Sequence, residues 1–238
     1  MNERWLIIFL LVIILVQAFI SKIVVVVSPP SFNCCGGPPA NCETDRANCE
    51  TVVELEDFLT SDECDEIIRL AEEKGLSPST IYTATNPTVS DTVNRISEQV
   101  WLLNSISESI CKKIENISEM PIENQEEFQV VRYKDGGFFK PHFDYPEEYA
   151  QNESTKFNRS MTFLMYLNDD FEGGETYFPI LKRTIIPKKG KLVYFFNTDL
   201  EGNRLPDSLH EGKDIKGIKW ICTKWVSSDP TGGRTRNL

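Results

Sequence analysis

The sequence "FKPHFDYP", residues 139–146, contains residue types that bind metal ions. His142 and Asp144 are two positions apart, and in an extended segment their side chains would point to the same face. The chain has one other histidine, His210, in "LPDSLHEGK", where a later strand is expected to begin. These three residues are therefore the candidates for a metal site.

Two imidazoles and one carboxylate on one face of a metal leave the other positions open, which is the facial arrangement of non-haem Fe(II) oxygenases. A co-substrate and dioxygen could bind at the open positions. Zinc could bind the same ligands, as in a hydrolase, so the residue types alone do not identify the metal. A surface histidine beside a turn aspartate would give the same H-x-D spacing.

Helical patterns precede this segment. "LTSDECDEIIRLAEEKG" opens with a predicted capping box, Thr60 with Glu63, and closes at Gly75, which indicates an amphipathic helix. A second helix is predicted from about Ser97 to Ile117, before Pro121. Its apolar residues near helical spacing are Val100, Leu103, Ile110 and Ile114.

From Glu127 onward the sequence changes to short β-like segments separated by turn residues. They are "EFQVVRY", "SMTFLMYL", "ETYFPI", "RTIIP", "KLVYFFN" and "GIKWICTKWV". No helical stretch separates them, so the strands are expected to pair antiparallel. Many short strands without crossovers predict a sandwich or jelly-roll barrel, mainly β, with helices on its N-terminal side.

Length and charge limit the possible classes of protein. The chain has 238 residues, of which 40% are hydrophobic, enough for one catalytic-sized domain, predicted at residues 51–228 and followed by a tail at 229–238. The formal net charge of −11 would repel phosphate backbones. Nucleic acid is therefore not expected as a partner.

The N-terminal segment, residues 1–28, is predicted to be a membrane anchor or a signal segment. It is apolar from Trp5 to Val27 except for Gln17, Ser21 and Lys22, and as a helix it would extend roughly 34 Å, enough to cross a bilayer core. Cleavage after Ala18 is the alternative, although no clear A-x-A site is present. The positive charges around the segment do not fix its orientation.

A Cys/Pro/Gly-rich linker is predicted at residues 29–50. Its cysteines, in a segment with few apolar residues, suit disulfides in an oxidising lumen; the spacing lacks the C-x2-C of zinc knuckles, which leaves zinc as the alternative. Three N-x-S/T sequons are compatible with a lumenal domain. The cysteines are Cys34, Cys35, Cys42 and Cys49, and the sequons begin at Asn116, Asn152 and Asn158.

Four segments together resemble the prolyl 4-hydroxylase family of 2-oxoglutarate dioxygenases. They are "QVVRYKDGGFFKPHFDY", "RSMTFLMYLNDDFEGGETYFP", "PKKGKLVYFFN" and "DSLHEGKDIKGIKWICTKWV". The resemblance covers about residues 125–226 and extends more loosely back to residue 61. It implies a double-stranded β-helix, a jelly roll, supported by N-terminal helices.

The same resemblance implies roles for individual residues. His142, Asp144 and His210 would bind Fe(II). Lys219 would form a salt bridge with the distal carboxylate of 2-oxoglutarate, since a buried dicarboxylate needs a fixed cation. Two hydroxyl groups would hydrogen-bond to the same co-substrate; they belong to Tyr133 and Thr176.

Other matched positions concern the substrate and the turns. Arg159 and Trp225 match positions of the family's peptide-binding groove, and Gly173 and Gly174 match a hairpin in which they would allow a tight turn. Lys219 follows His210 by nine positions, one fewer than is usual in the family. A shortened loop would preserve its role; otherwise Lys216 or Lys213 would replace it.

The resemblance implies an Fe(II)- and 2-oxoglutarate-dependent dioxygenase, similar to procollagen-proline 4-dioxygenase, that uses O2 and ascorbate and releases succinate and CO2. Its substrate would be prolyl residues of a protein or peptide. Its expected location is the endoplasmic reticulum membrane, with a single membrane span and a lumenal catalytic domain. The alternative is secretion after signal cleavage. For the activity, the alternatives are another target, such as lysyl residues, and an inactive jelly-roll binding module. The net charge argues against a nucleic-acid demethylase. Asp144 argues against a halogenase, because a halogenase would need a small residue in place of this carboxylate to make room for chloride.

Overall fold

The computed structural model describes residues 51–81, 91–145, 159–199 and 201–228, which belong to one unit, Gly37–Leu238. Among these residues no helix is long and apolar enough to span a bilayer. Several predictions lie outside the described residues. They are the N-terminal anchor, the linker with its four cysteines, the sequons at Asn152 and Asn158, and the C-terminal tail.

The described part of the chain contains two α-helices, three short 3-10 helices and fourteen strands. The helices are α1, Ser61–Lys74, and α2, Glu108–Ser118. The strands are β1 Val52–Leu55, β2 Ser77–Pro78, β3 Arg95–Ile96, β4 Glu98–Leu102, β5 Phe128–Tyr133, β6 Phe138–His142, β7 Arg159–Tyr166, β8 Glu172–Gly173, β9 Thr176–Phe178, β10 Arg183–Ile185, β11 Leu192–Phe196, β12 His210–Gly212, β13 Ile215–Lys216 and β14 Lys219–Ser227. The six strand segments predicted from Glu127 onward are confirmed.

The strands form two large sheets and a small one. The seven-stranded sheet has the order β1-β11-β7-β14-β5-β4-β2, the five-stranded sheet has the order β10-β9-β12-β6-β3, and β13 pairs with β8. Every pairing between these strands is antiparallel, as predicted. The mainly β core is consistent with a jelly roll.

Two apolar cores lie on opposite faces of the seven-stranded sheet, because side chains alternate along each strand. In β14, Cys222 and Val226 pack with the buried faces of the helices, whereas Ile221 packs with residues of the five-stranded sheet such as Phe178 and Ile185. The helices therefore cover one face of the sheet, and the other face looks into the space between the two sheets.

Helix α1 begins as predicted. The Thr60 hydroxyl accepts a hydrogen bond from the Glu63 amide at 3.1 Å, and the Glu63 carboxylate accepts one from the Thr60 amide at 2.9 Å, which completes the capping box. The helix ends at Gly75, whose φ of 85° suits a residue without a side chain. Its buried residues are Cys64, Ile67 and Ala71.

The second predicted helix, Ser97–Ile117, is wrong in its first half. Residues 98–102 form β4, which pairs with β5 through contacts such as Val100 with Val130, and α2 begins only at Glu108. Apolar residues three or four apart in a short segment do not distinguish a helix from a strand. Here pairing with a neighbouring strand decides the conformation, and Leu103 is exposed rather than on a buried helix face.

The hairpin predicted around Gly173 and Gly174 is also wrong, although both glycines have a structural role. Strand β8 pairs with β13, while β9 pairs with β10 and β12. Both glycines have positive φ, 74° and 70°, which favours glycine. A Cβ on Gly173 would lie 2.5 Å from the Asp214 carbonyl oxygen, so this close backbone approach excludes a side chain there.

Candidate metal centre and co-substrate cavity

The structure brings His142, Asp144 and His210 together. His142 ends β6 and His210 begins β12, and the two are direct cross-strand partners with ring centroids 4.3 Å apart. Asp144 lies just beyond the end of β6. Its Oδ1 lies 3.7 Å from His142 Nε2, and its Oδ2 lies 3.8 Å from His210 Nε2. One candidate ligand atom from each residue lies within 4.8 Å of the others.

The hydrogen bonds of the two imidazoles fix which nitrogen faces the centre. His142 Nδ1 lies 2.8 Å from the Lys140 carbonyl oxygen, and His210 Nδ1 lies 2.9 Å from that of Ser208. A carbonyl oxygen only accepts hydrogen bonds, so each Nδ1 carries the proton and donates it. The Nε2 lone pairs are then available for a cation.

Burial determines the charge of the cluster. Burial, and then the neighbouring His210, lower the pKa of His142, which keeps that imidazole neutral at neutral pH. Burial alone would raise the pKa of Asp144, but the histidines, Arg159 and a hydrogen bond from Thr162 hold it below its usual value. Two imidazole Nε2 atoms beside an ionised carboxylate fit a divalent cation such as Fe(II), and they would also fit zinc.

A cavity of about 260 Å³ adjoins this cluster. Besides the three candidate ligands, its walls include all five other residues predicted for the site. These are Tyr133, Arg159, Thr176, Lys219 and Trp225.

Lys219 is a buried basic residue in the cavity wall. It begins β14 beside Tyr133 in β5, and its Nζ donates a hydrogen bond to the Gly174 carbonyl oxygen at 2.6 Å. Burial lowers the pKa of Lys219 to about 7, and Glu175 opposes this shift. The two alternative lysines do not line the cavity: Lys216 and Lys213 are exposed and pair with Glu172 and Glu211, respectively.

The two predicted hydroxyl groups are buried in the same cavity. Thr176 Oγ1 lies 2.7 Å from the hydroxyl of Tyr166, so these two groups share a hydrogen bond. Burial raises the pKa of Tyr133, which keeps its hydroxyl protonated and able to donate. The cavity therefore combines a cation with hydroxyl donors, which suits a carboxylate.

Arg159 and Trp225 lie beside each other in the cavity wall. The Arg159 guanidinium is 3.6 Å from the centroid of the Trp225 ring. It also donates two hydrogen bonds to the Glu126 carboxylate, at 2.5 and 2.8 Å, in a pair that is buried on both sides. Trp101 is the next aromatic residue, with its ring centroid 5.9 Å from that of Trp225.

Sequence reasoning did not find the residues that support Asp144 from behind. Thr162 Oγ1 donates to Asp144 Oδ2 at 2.8 Å, and Asn197 Nδ2 donates to Thr162 Oγ1 at 2.8 Å. Both polar residues are fully buried: Thr162 lies inside the apolar segment "SMTFLMYL", and Asn197 lies at the end of "KLVYFFN". A buried polar group needs a partner, so this signal was available, but it does not identify the partner.

Comparison with known proteins agrees with this geometry. Residues 128–227 match the sequence model of the 2OG-Fe(II) oxygenase superfamily. Prolyl 4-hydroxylase 1 of Arabidopsis thaliana is 35% identical over 199 residues, which cover 76% of this chain and 70% of the plant protein. Prolyl 4-hydroxylase subunit alpha-1 of Caenorhabditis elegans is 31% identical, and the match covers 79% of this chain but only 34% of that subunit.

Among solved structures, the viral collagen prolyl hydroxylase of Paramecium Bursaria Chlorella virus-1, crystallised with 2OG, superposes with a TM-score of 0.61. It is 30% identical, and the match covers 76% of this chain and 97% of the viral one. The fold and the site thus define a 2-oxoglutarate-dependent Fe(II) oxygenase. Within that superfamily, the chain belongs to the prolyl 4-hydroxylase family, which implies Fe(II) as its metal cofactor and 2-oxoglutarate and O2 as its co-substrates.

Proposed function

We propose that the protein hydroxylates the 4-position of prolyl residues in a protein or peptide and converts 2-oxoglutarate to succinate and CO2. The observation that carries the proposal is the joint placement of the His142, Asp144 and His210 ligand atoms and buried Lys219 around one cavity. The names of the plant, nematode and viral relatives supply the prolyl target.

In this proposal His142, Asp144 and His210 hold Fe(II). When bound, iron and 2-oxoglutarate together supply the activation of dioxygen. Lys219 binds the distal carboxylate, and the hydroxyl groups of Tyr133 and Thr176 donate to the same molecule. A charged pair inside a buried cavity is strong because water is excluded.

The substrate would enter on the side of the cavity formed by Arg159 and Trp225. Because Glu126 already binds the Arg159 guanidinium, we assign Arg159 the task of holding the Trp225 ring in place. The Trp225 ring would then contact the peptide. Ascorbate is proposed to return iron to the Fe(II) state after turnovers without substrate hydroxylation.

The proposed location follows from the sequence. Residues 5–27 would anchor the protein in the endoplasmic reticulum membrane, with the catalytic domain in the lumen, because an apolar span is followed by a cysteine-rich linker. In intact microsomes, protease should digest the domain only after detergent is added. Digestion without detergent would contradict the lumenal placement.

The activity is tested by incubating the purified protein with Fe(II), 2-oxoglutarate, O2 and peptides of known sequence. Proline-rich and collagen-like peptides should gain one oxygen on proline, located by fragment mass spectrometry, in step with succinate release. Matched peptides with alanine in place of proline, and lysine-containing peptides, serve as controls. Oxygen on lysine would identify the alternative target, and absence of both products would overturn the proposed activity.

A further inference from the structure

We propose that Asn197 is a positioning residue that sets two of the three candidate metal ligands, Asp144 and His210, relative to each other. Asn197 follows β11 directly and is fully buried, and it is not part of the cavity wall. It therefore acts through other residues rather than by contact with a substrate. The inference rests on the metal-binding role of Asp144 proposed above.

The first connection runs through side chains. Asn197 Nδ2 donates to Thr162 Oγ1, and Thr162 Oγ1 donates to Asp144 Oδ2, each at 2.8 Å. Thr162 has no exposed surface, and Asp144 is only 9% exposed. Hydrogen bonds in such a water-poor site hold a carboxylate in one orientation.

The chemistry of the groups fixes the direction of these two hydrogen bonds. A carboxylate that binds a cation only accepts hydrogen bonds, so the single hydroxyl proton of Thr162 points to Asp144 Oδ2. The Thr162 oxygen must then accept from Asn197, which only the amide NH2 can supply. Within the described part of the chain, Asn197 Oδ1 has no hydrogen-bond partner, so nothing there competes with this orientation of the amide.

The second connection runs through the backbone. The Leu205 amide donates to the Asn197 carbonyl oxygen at 2.8 Å, and the Leu205 carbonyl oxygen accepts from the backbone amide and the hydroxyl of Ser208. The Ser208 carbonyl oxygen in turn accepts from His210 Nδ1. The loop that carries His210 is therefore attached to the same residue whose side chain orients Asp144.

One carboxylate oxygen is thereby distinguished from the other. Thr162 occupies a lone pair of Oδ2, while among the described residues no hydrogen bond is made to Oδ1, which faces His142. Thr162 and Asn197 thus favour a metal bond through Oδ1. Removing the Thr162 hydroxyl, or replacing the Asn197 amide donor with an acceptor, should loosen the Asp144 carboxylate and weaken metal binding.

The test measures Co(II) binding to the purified protein without 2-oxoglutarate, by calorimetry and by the visible absorption of the bound ion. Thr162→Val and Asn197→Asp should each weaken Co(II) binding by roughly ten- to a hundredfold, and should alter the Co(II) absorption. Asn197→Asp offers Thr162 a competing acceptor at unchanged size. Thr162→Ser keeps the hydroxyl and should stay within about threefold of the parent protein.

Thr198→Val is the matched control, since Thr198 is also buried next to Asn197 but has no bond to Asp144; it should leave Co(II) affinity and absorption unchanged. A purely structural role would lower the melting temperature of the metal-free variants without altering either Co(II) readout, and that result overturns the inference. If Thr162→Val does not fold, Asn197→Ala takes its place in the same measurements of Co(II) affinity and absorption. If His142→Ala binds Co(II) as well as the parent, the metal centre itself is misassigned, which is a separate failure.

Discussion

Two buried lysines on the same strand, β14, show how differently the two faces of the seven-stranded sheet use a cation. Lys219 is 2% exposed and faces the cavity, whereas Lys224 has no exposed surface and faces the helices. Burial lowers the pKa of both amino groups, to about 7 for Lys219. Their partners, however, are not alike.

Lys224 is satisfied by the protein. Its Nζ donates to Asn104 Oδ1 at 2.5 Å, lies 3.4 Å from Cys111 Sγ and sits 4.1 Å from the centroid of the Phe128 ring. Within the described residues, the one hydrogen bond found for Lys219 Nζ goes to the Gly174 carbonyl oxygen. An ammonium group has three donors, so Lys219 retains donors for a ligand. The cavity face is built for binding, and the helix face for folding.

The largest effect that would sharpen this contrast is expected at the metal centre. His142→Ala, Asp144→Ala or His210→Ala should each reduce succinate release to background, because two remaining ligands hold Fe(II) too weakly. Circular dichroism should show that each variant is folded. Near-normal coupled turnover by any one folded variant would remove that residue from the ligand set.

The second-largest effect, on the KM for 2-oxoglutarate, is expected at Lys219. Lys219→Ala should raise the KM for 2-oxoglutarate at least roughly 30-fold, since truncating one partner of a buried charge pair costs about 2–5 kcal/mol. The dependence on Fe(II) should change much less. Lys216→Ala and Lys213→Ala remove exposed charges and should change the same constant less than about threefold. A dominant effect of Lys216 would instead mean that the wrong lysine has been assigned.

The lowered pKa of Lys219 predicts a pH dependence. Below pH 7 the ligand-free lysine is protonated and ready to bind the carboxylate; above pH 7 it is neutral, and binding must take up a proton. The affinity for 2-oxoglutarate should therefore fall by roughly tenfold for each pH unit above 7. Anaerobic calorimetry between about pH 6.5 and 8.5 measures this affinity as a function of pH. Lys219→Arg remains charged throughout, and if it shows the same decline, another group is responsible.

The smallest effect on catalysis is expected on the other face of the sheet. Lys224→Ala should lower the free energy of unfolding by about 2–4 kcal/mol, because it leaves a cavity and removes the donor to Asn104. The KM for 2-oxoglutarate should stay within about twofold. Denaturant titration and steady-state kinetics measure the two quantities. A large KM increase with unchanged stability would erase the distinction between the two faces.

The sequence predicted those features that depend on short-range patterns or on family motifs. The capping box of Thr60 and Glu63 depends on residues three apart, and the structure confirms it. Residues 98–102 were predicted as helix because their strand partner, β5, lies about thirty positions away and their spacing gives no sign of it. Similarly, Asn197 and Thr162 are 35 positions apart, and only the fold shows that they meet behind Asp144.

The position of β14 also has a consequence for how the chain folds during its synthesis. This strand is the last along the chain among the described residues, yet it lies between β7 and β5 in the middle of the sheet. Chains emerge from the ribosome N-terminus first, so β5 and β7 are complete long before the strand that joins them. Until then their facing edges expose unpaired backbone groups, which invite pairing with other chains. The sheet therefore closes late, and chains that end before β14 lack its central strand together with Lys219.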